Sequence, residues 1–294
     1  MVLQTLFSGG TYLFVKSAVG DRAAAGPLTP RQLMTLRFAA TLALLLGFVV
    51  IRPHSIRVPW ARLAKLAFLG VLAVPVNVGL FFEGAQRAPT AHPALFYALT
   101  PVFVFVIEWA GGRTAASARR VLGLMLALLG AAVVLSRGTW ATFLPGGTDG
   151  EEIFGDFLLL SAAVSWAFYT TLSRPLVAEL GAVQVMVTTL SLGSLIWLPI
   201  GIPLSAPLDL GSLPASAWIS VAYLAVLTSV LNYSLWLFAL KRLEPTQVAV
   251  FSNLQPAITV LFVWMVRGET PTLSFLVGTA AVLAGVTFVQ RAKT

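Results

Sequence analysis

The chain has 294 residues, of which 58% are hydrophobic and 10% charged, with a formal net charge of +8 and a mean hydropathy of +0.89. A soluble domain carries about a quarter charged residues, and a water-soluble chain of this size has no means of hiding so much apolar surface. The absence of cysteine excludes a disulfide framework, a thiol nucleophile and a thiolate metal site.

A helix needs about 20 apolar residues to cross the hydrocarbon core of a bilayer. In chain order the candidates are Val2–Val19, Gln32–Ile51, Leu63–Phe82, Thr90–Trp109, Val121–Leu135, Phe154–Leu172, Val183–Ile202, Trp218–Leu240, Gln247–Val266 and Leu273–Val289. No cleavable leader is expected, because the first apolar stretch is long and runs into more of the same. Breaks rich in Pro, Gly or charge separate the segments; the longest, Arg137–Glu152, contains LPGGTDGEE and reads as a surface linker.

The two halves match at an offset of 155 residues: Asn77 answers Asn232, Pro101 answers Pro256, Trp109 answers Trp264, and Gly123 answers Gly278. Each half holds an odd number of segments, so the second enters the membrane from the opposite side. The expectation is an all-α membrane protein with ten transmembrane helices in two inverted five-helix repeats around a central cavity. The repeats span 1–137 and 154–294, and 138–153 is a linker on the outer side. Many secondary transporters have this plan.

A pI near 10.4 raises nucleic-acid binding, but the positions of the charges give a different reading. With a cytoplasmic N-terminus, the inner loops and tail hold 12 Lys and Arg, the outer loops 5, and Lys16 and Arg37 lie within segments. The bias follows the positive-inside rule and places both termini in the cytoplasm. The bilayer is then the expected partner and nucleic acid is not. The basic loops before the third and fifth segments have repeat partners nearly free of Lys and Arg, as opposite insertion of the two halves demands.

The stretch RLEPTQVAVFSNLQPAITVLFVWMVRGETPTLSFLVGTAAVLAGV (Arg242–Val286) resembles the last two helices of the EamA family, within the drug/metabolite transporter superfamily. The resemblance rests on Pro256, Gly268–Glu269, Gly278 and Gly285, with a weaker copy in Pro101, Gly111–Gly112, Gly123 and Gly130 and family-like basic residues at Lys16 and Arg37. SWAFYTTLSRP, from Ser165 to Pro175, resembles the opening helix of the second repeat. Two features depart from the pattern: Thr114 stands where a first-repeat Glu would map, and the opening helix reads FSGGTY. The resemblance implies a ten-helix bacterial inner-membrane exporter of small metabolites, with a cavity between the repeats.

Two stripes carry the candidate chemistry. His92, Phe96 and Thr100 lie four residues apart and so share a helical face; their repeat partners are Gln247, Phe251 and Gln255. Each stripe ends one residue before a helix-kinking proline, Pro101 or Pro256. Polar groups at such depth face a cavity or another helix. A polar–Phe–polar face suits a small amphipathic solute, and it equally suits interhelical hydrogen bonding around a packed ring. Asn77 and Asn232, with Phe81 and Trp236 one turn on, Tyr12 with Lys16, and Trp166 complete the expected substrate-binding set. Lys16 and Arg37 either snorkel to the surface or form a positive wall for a substrate carboxylate.

No Asp or Glu falls at an expected midplane, so the chain reads as a facilitator driven by the substrate gradient. Walker, Gly-x-Ser-x-Gly and His-Glu-x-x-His motifs are absent. No catalytic residue, cofactor or metal is expected. The functional expectation is alternating-access export of small neutral or zwitterionic metabolites, with amino acids first. Phosphorylated or nucleotide-linked sugars are the second transport reading, and a membrane scaffold or intramembrane enzyme is the reading from another class. Gly-spaced fifth and tenth helices fit either close packing within the chain or a homodimer.

Overall fold

The computed structural model describes residues 1–20, 25–52, 56–88, 92–136, 150–205, 207–255, 257–258, 265 and 273–292. Pro256, most of the expected linker and the turn carrying Glu269 lie outside them. Helix α1 covers Val2–Val19 and α2 Pro30–Ile51. The start of α2 is set by a capping box, in which Thr29 and Gln32 each bind the other's backbone N–H, and by Pro30 in its first turn.

The third rod is interrupted. Helix α3 (Trp60–Val71) passes through a π-helical turn, Leu72–Val78, into α4 (Gly79–Arg87). Pro75 inside that turn lacks the N–H that a regular helix would use. The 155-residue partner behaves the same way: α10 (Ala215–Tyr223) passes through a π turn at Leu224–Leu231 into α11 (Asn232–Leu240). There Ser229 donates from Oγ to the Leu224 carbonyl at 3.0 Å. Asn77 and Asn232 therefore both sit where a widened turn hands over to α-helix.

The expected fourth segment divides into α5 (His92–Ala98) and α6 (Thr100–Ala110), with Leu99 between them and Pro101 in the first turn of α6. Helix α7 runs Ala118–Ser136. Helix α8, Gly150–Leu180, is longer at both ends than the expected Phe154–Leu172. The last residues assigned to the linker are thus its first turn, where Glu151 and Glu152 suit the positive end of the helix dipole. Helix α9 covers Ala182–Leu204. Helix α12 (Pro245–Ala249) tightens into a 3-10 stretch, Val250–Leu254, and α13 covers Leu273–Gln290.

Among the described residues five rods are long and apolar enough to cross a membrane: Pro30–Ile51, Trp60–Arg87, Gly150–Leu180, Ala182–Leu204 and Ala215–Leu240. Their outward faces carry exposed Leu46, Phe68, Leu195, Ile219 and Phe238, as lipid contact requires. No strand occurs among the described residues.

Helices α7 and α13 meet backbone to backbone. A Cβ placed on Gly123 would lie 2.9 Å from the Gly285 carbonyl, and one on Gly130 2.7 Å from that of Gly278. The glycines of the expected fifth and tenth helices are therefore used within one chain, which removes the sequence argument for a dimer through them. Gly70 of α3 and Gly193 of α9 make a second close approach, each Cβ position falling about 2.5 Å or less from opposing backbone oxygen.

Candidate functional site

Between the two halves lies a cavity of about 80 Å³. The first half contributes Ser8 and Thr11 from α1, Arg37 from α2, Asn77 from the π turn, Phe81 from α4 and Tyr97 from α5. The second contributes Trp166 from α8, Thr228 from the other π turn, Asn232, Tyr233 and Trp236 from α11, and Gln255.

Hydrogen bonds fix the polar part of this wall. Asn77 donates from Nδ2 to the Tyr97 hydroxyl at 2.7 Å and to the Ala162 carbonyl at 2.8 Å. Gln4 donates from Nε2 to Ser8 Oγ at 3.0 Å, and Ser8 donates in turn to Asn232 Oδ1 at 2.9 Å. Thr11 and Thr228 hydroxyls meet at 3.2 Å. The Gln4 Oε1 atom is buried without a hydrogen-bond partner. These bonds hold the asparagine side chains in fixed positions, each tying one helix of the wall to another.

The aromatic part is a cluster of four rings, with Trp166 stacked on Tyr169 and set edge-on or tilted to the other two. Trp166 lies 5.1 Å from Tyr169, 5.1 Å from Tyr233 and 5.2 Å from Trp236, between ring centroids. The Trp236 indole N–H donates to Thr170 Oγ1 at 3.2 Å, and the Tyr233 hydroxyl to the Ala73 carbonyl at 3.2 Å. Their polar ends are thus engaged, and what they offer the cavity is ring surface.

Arg37 is the charged residue among the described residues of the wall. It is 2% exposed. Its Nε–H donates to Ser229 Oγ at 2.9 Å, and its guanidinium lies 5.0 Å from the Phe38 ring and 5.9 Å from the Phe82 ring. Among the described residues no carboxylate lies within ion-pair distance of it; the acids that form ion pairs do so with other partners. Keeping an Arg in the hydrocarbon layer costs about 3 kcal/mol or more, a cost that the cation–π contacts offset in part.

The structure brings together Asn77, Phe81, Trp166, Asn232, Trp236 and Gln255 from the expected set, and places the others elsewhere. His92 Nδ1 sits 2.7 Å from Asp156 Oδ1, tying the start of α5 to α8, and Phe96 packs edge-on to the His92 ring. Thr100 is fully buried away from the cavity. Gln247 accepts the Glu244 N–H and donates to the Gln290 carbonyl, so it caps α12 and braces α13. Phe251 packs against the core formed by α7 and α13. The shared face fails for a geometric reason: Leu99 breaks the first stripe, and the 3-10 stretch turns the second by about 120° over four residues instead of about 40°. Lys16 is exposed near the end of α1 and is not on the cavity wall. The Tyr12 side chain lies outside the described residues.

Gln4, Ser8, Thr11, Tyr97, Thr228 and Tyr233 escaped the sequence reading. Gln4, Ser8 and Thr11 do carry a signal, polar residues three or four apart on the first helix. Tyr97 neighbours a stripe residue and was hidden by the assumption of an unbroken helix. His92, Glu152 and Asp156 bring one ligand atom each within 4.8 Å of one another; the His92–Asp156 hydrogen bond accounts for two of the three.

A buried ion pair joins the halves at the opposite end of α5–α6. Arg120 of α7 is fully enclosed, donates to Thr114 Oγ1, and meets Glu244, the cap of α12, at 2.8 Å.

A polar and aromatic chamber walled by helices from both halves, inside a shell of lipid-facing apolar rods, defines a multi-pass membrane transporter. The chain belongs to the EamA-like transporter family, which it matches over residues 1–136 and again over 153–291. It is 25% identical over 285 residues to the uncharacterized transporter YyaM of Bacillus subtilis, covering 96% of this chain and 89% of that one. A probable terminal-alkyne amino-acid exporter of Streptantibioticus cattleyicolor is 27% identical over 242 residues, 81% of this chain and 77% of its own length. The uncharacterized inner membrane transporter YedA of Escherichia coli is 24% identical over 264 residues, 89% and 80% of the two chains. One crystal structure superposes with a TM-score of 0.77 at 18% identity, over 98% of this chain and 93% of the other, a likeness of fold. The family and these relatives are transporters, and the chain is accordingly a transporter and not an enzyme.

Proposed function

We propose that the protein is a secondary transporter that exports small neutral or zwitterionic metabolites, amino acids first among them, across the bacterial inner membrane. Ten helices in two inverted repeats enclose the cargo, and the halves rock about the cavity to expose it to one side at a time. The observation that carries this reading is the cavity itself, with asparagines at matched positions of the two halves and a ring cluster on the second. Amides suit polar groups of a small solute, and ring faces suit its apolar body. The similarity to an exporter named for an amino acid points the same way.

Phosphorylated sugars fit the cavity less well. Binding a phosphate dianion usually takes several Lys or Arg, whereas Arg37 is the single Lys or Arg among the described residues of this wall. The described wall also lacks Asp, Glu and His, which supports movement down the substrate gradient without obligatory proton exchange.

The test is counterflow in liposomes with purified protein and radiolabelled amino acids, sugars and nucleosides. Amino acids should exchange, and an ionophore that collapses the pH gradient should leave the exchange intact. Accumulation driven by an imposed pH gradient alone would overturn the facilitator mechanism. Exchange of sugars or nucleosides without amino acids would overturn the substrate class.

A further inference from the structure

We infer that Arg37 is the anchor for a carboxylate on the cargo, and that the carboxylate decides which solutes the protein accepts. The inference rests on the transport reading above and adds to it the chemical group that is recognised. It begins from an imbalance. Arg37 is almost wholly buried on the cavity wall, and its side chain has one hydrogen-bond partner among the described residues, Ser229 Oγ, which takes Nε–H. The two terminal nitrogens make no hydrogen bond to the described residues and have no carboxylate of theirs nearby. A buried cation is normally paired, and this one faces a chamber built to be filled.

The free end of a guanidinium presents two parallel N–H groups that match the two oxygens of a carboxylate. With Nε held by Ser229, this end is the part left for a ligand. The two rings beside the group, Phe38 and Phe82, keep water from its faces and fix its plane. The remaining contacts match the rest of an α-amino acid. Trp166, Tyr233 and Trp236 offer ring faces to a side chain or an ammonium group, and Gln4 Oε1 is a buried acceptor without a donor. Arg37 comes from the first half and Ser229 from the second, so a carboxylate held by Arg37 sits at the seam about which the halves would move.

Lys16, the other basic residue within an expected segment, is exposed and off the cavity wall, which leaves Arg37 as the counter-charge.

The test compares L-leucine, L-leucinamide and 3-methylbutylamine, which share a side chain and differ in the carboxylate, by calorimetric binding to the full-length protein in detergent and by counterflow in liposomes. Wild type should bind leucine at least tenfold more tightly than the other two. Arg37→Gln should bring leucine down to the level of the amide, Arg37→Lys should keep part of the preference, and Ser229→Ala should fall between wild type and Arg37→Gln. Equal binding of all three probes by wild type, binding of none, or a uniform loss for all three in Arg37→Gln would overturn the inference. Should Arg37→Gln not fold, the wild-type preference and Ser229→Ala decide it. Binding that discriminates without any counterflow would instead count against the transport reading alone.

Discussion

At the residue scale, two glutamines that sequence pattern treats alike are separated by structure. Gln247 is built into the frame: with Glu244 it forms the capping box that starts α12, and it reaches across to the Gln290 carbonyl. Gln255 lies on the cavity wall. Gln247→Leu should therefore lower thermal stability, by about 1–2 kcal/mol for the lost cap and bridge, while leaving apparent substrate affinity unchanged. Gln255→Leu should weaken transport severalfold with little change in melting temperature. Thermal unfolding of both variants, alongside their uptake kinetics, checks the pair; melting curves and kinetics equal to those of wild type would show that Gln247 does not brace the frame and Gln255 does not meet the cargo. The capping box was not legible in sequence, because Glu244 stands where such a cap usually has Ser, Thr, Asp or Asn. The break in α-helical period after Ala249 was not legible either, because nothing in the spacing of Gln247, Phe251 and Gln255 announces a tighter turn.

At the element scale, the apolar rods have little hydrophobic reason to choose one another in lipid, since acyl chains are as apolar as Leu. Close backbone approach decides. Helices α7 and α13 use four glycines for it, and the Cβ position of Gly285 falls 2.4 Å from the Ala127 backbone nitrogen and 2.6 Å from the Gly123 carbonyl. Backbone on both sides leaves no flexible atom to give way. Gly285→Leu should force the two helices apart and cost about 1–3 kcal/mol, seen as a lower melting temperature in detergent. Gly47, which has nothing near its Cβ position, provides the control: Gly47→Leu should be tolerated, and similar losses at both positions would remove the packing argument. The Gly spacing was visible in the sequence, but its partner was not, because a smooth stripe fits a copy of itself as well as another stripe.

At the scale of the whole molecule, helices from both halves form the walls of one chamber, and a polar bridge between the halves lies to either side of it. Arg120–Glu244 joins α7 to α12, and His92–Asp156 joins α5 to α8. In the orientation we propose from the positive-inside bias, the first lies on the cytoplasmic face and the second on the outer one. With no native cysteine, single cysteines report this orientation directly. A cysteine at Arg57 or Arg113 should react with an impermeant maleimide only after lysis, and one at Asp209 should react in intact cells. The reverse pattern would invert the assigned topology.

The sequence by itself determined what depends on composition and long-range spacing. Ten apolar stretches, a 155-residue offset in Asn, Pro, Trp and Gly, and the placement of Lys and Arg are enough to read a helical membrane protein and a family resemblance, because the bilayer imposes helix length and charge placement on every such chain. Tertiary structure decided which side chains meet. Arg37 and Ser229 are 192 residues apart and Ser8 and Asn232 are 224 apart, and no local pattern pairs them. The turns that set their directions, π-helical at Leu72–Val78 and Leu224–Leu231 and 3-10 at Val250–Leu254, rotate each following face away from an ideal helix. A stripe drawn at four-residue spacing stays true only while the helix stays regular, and this chain departs from regularity where its helices reach the cavity.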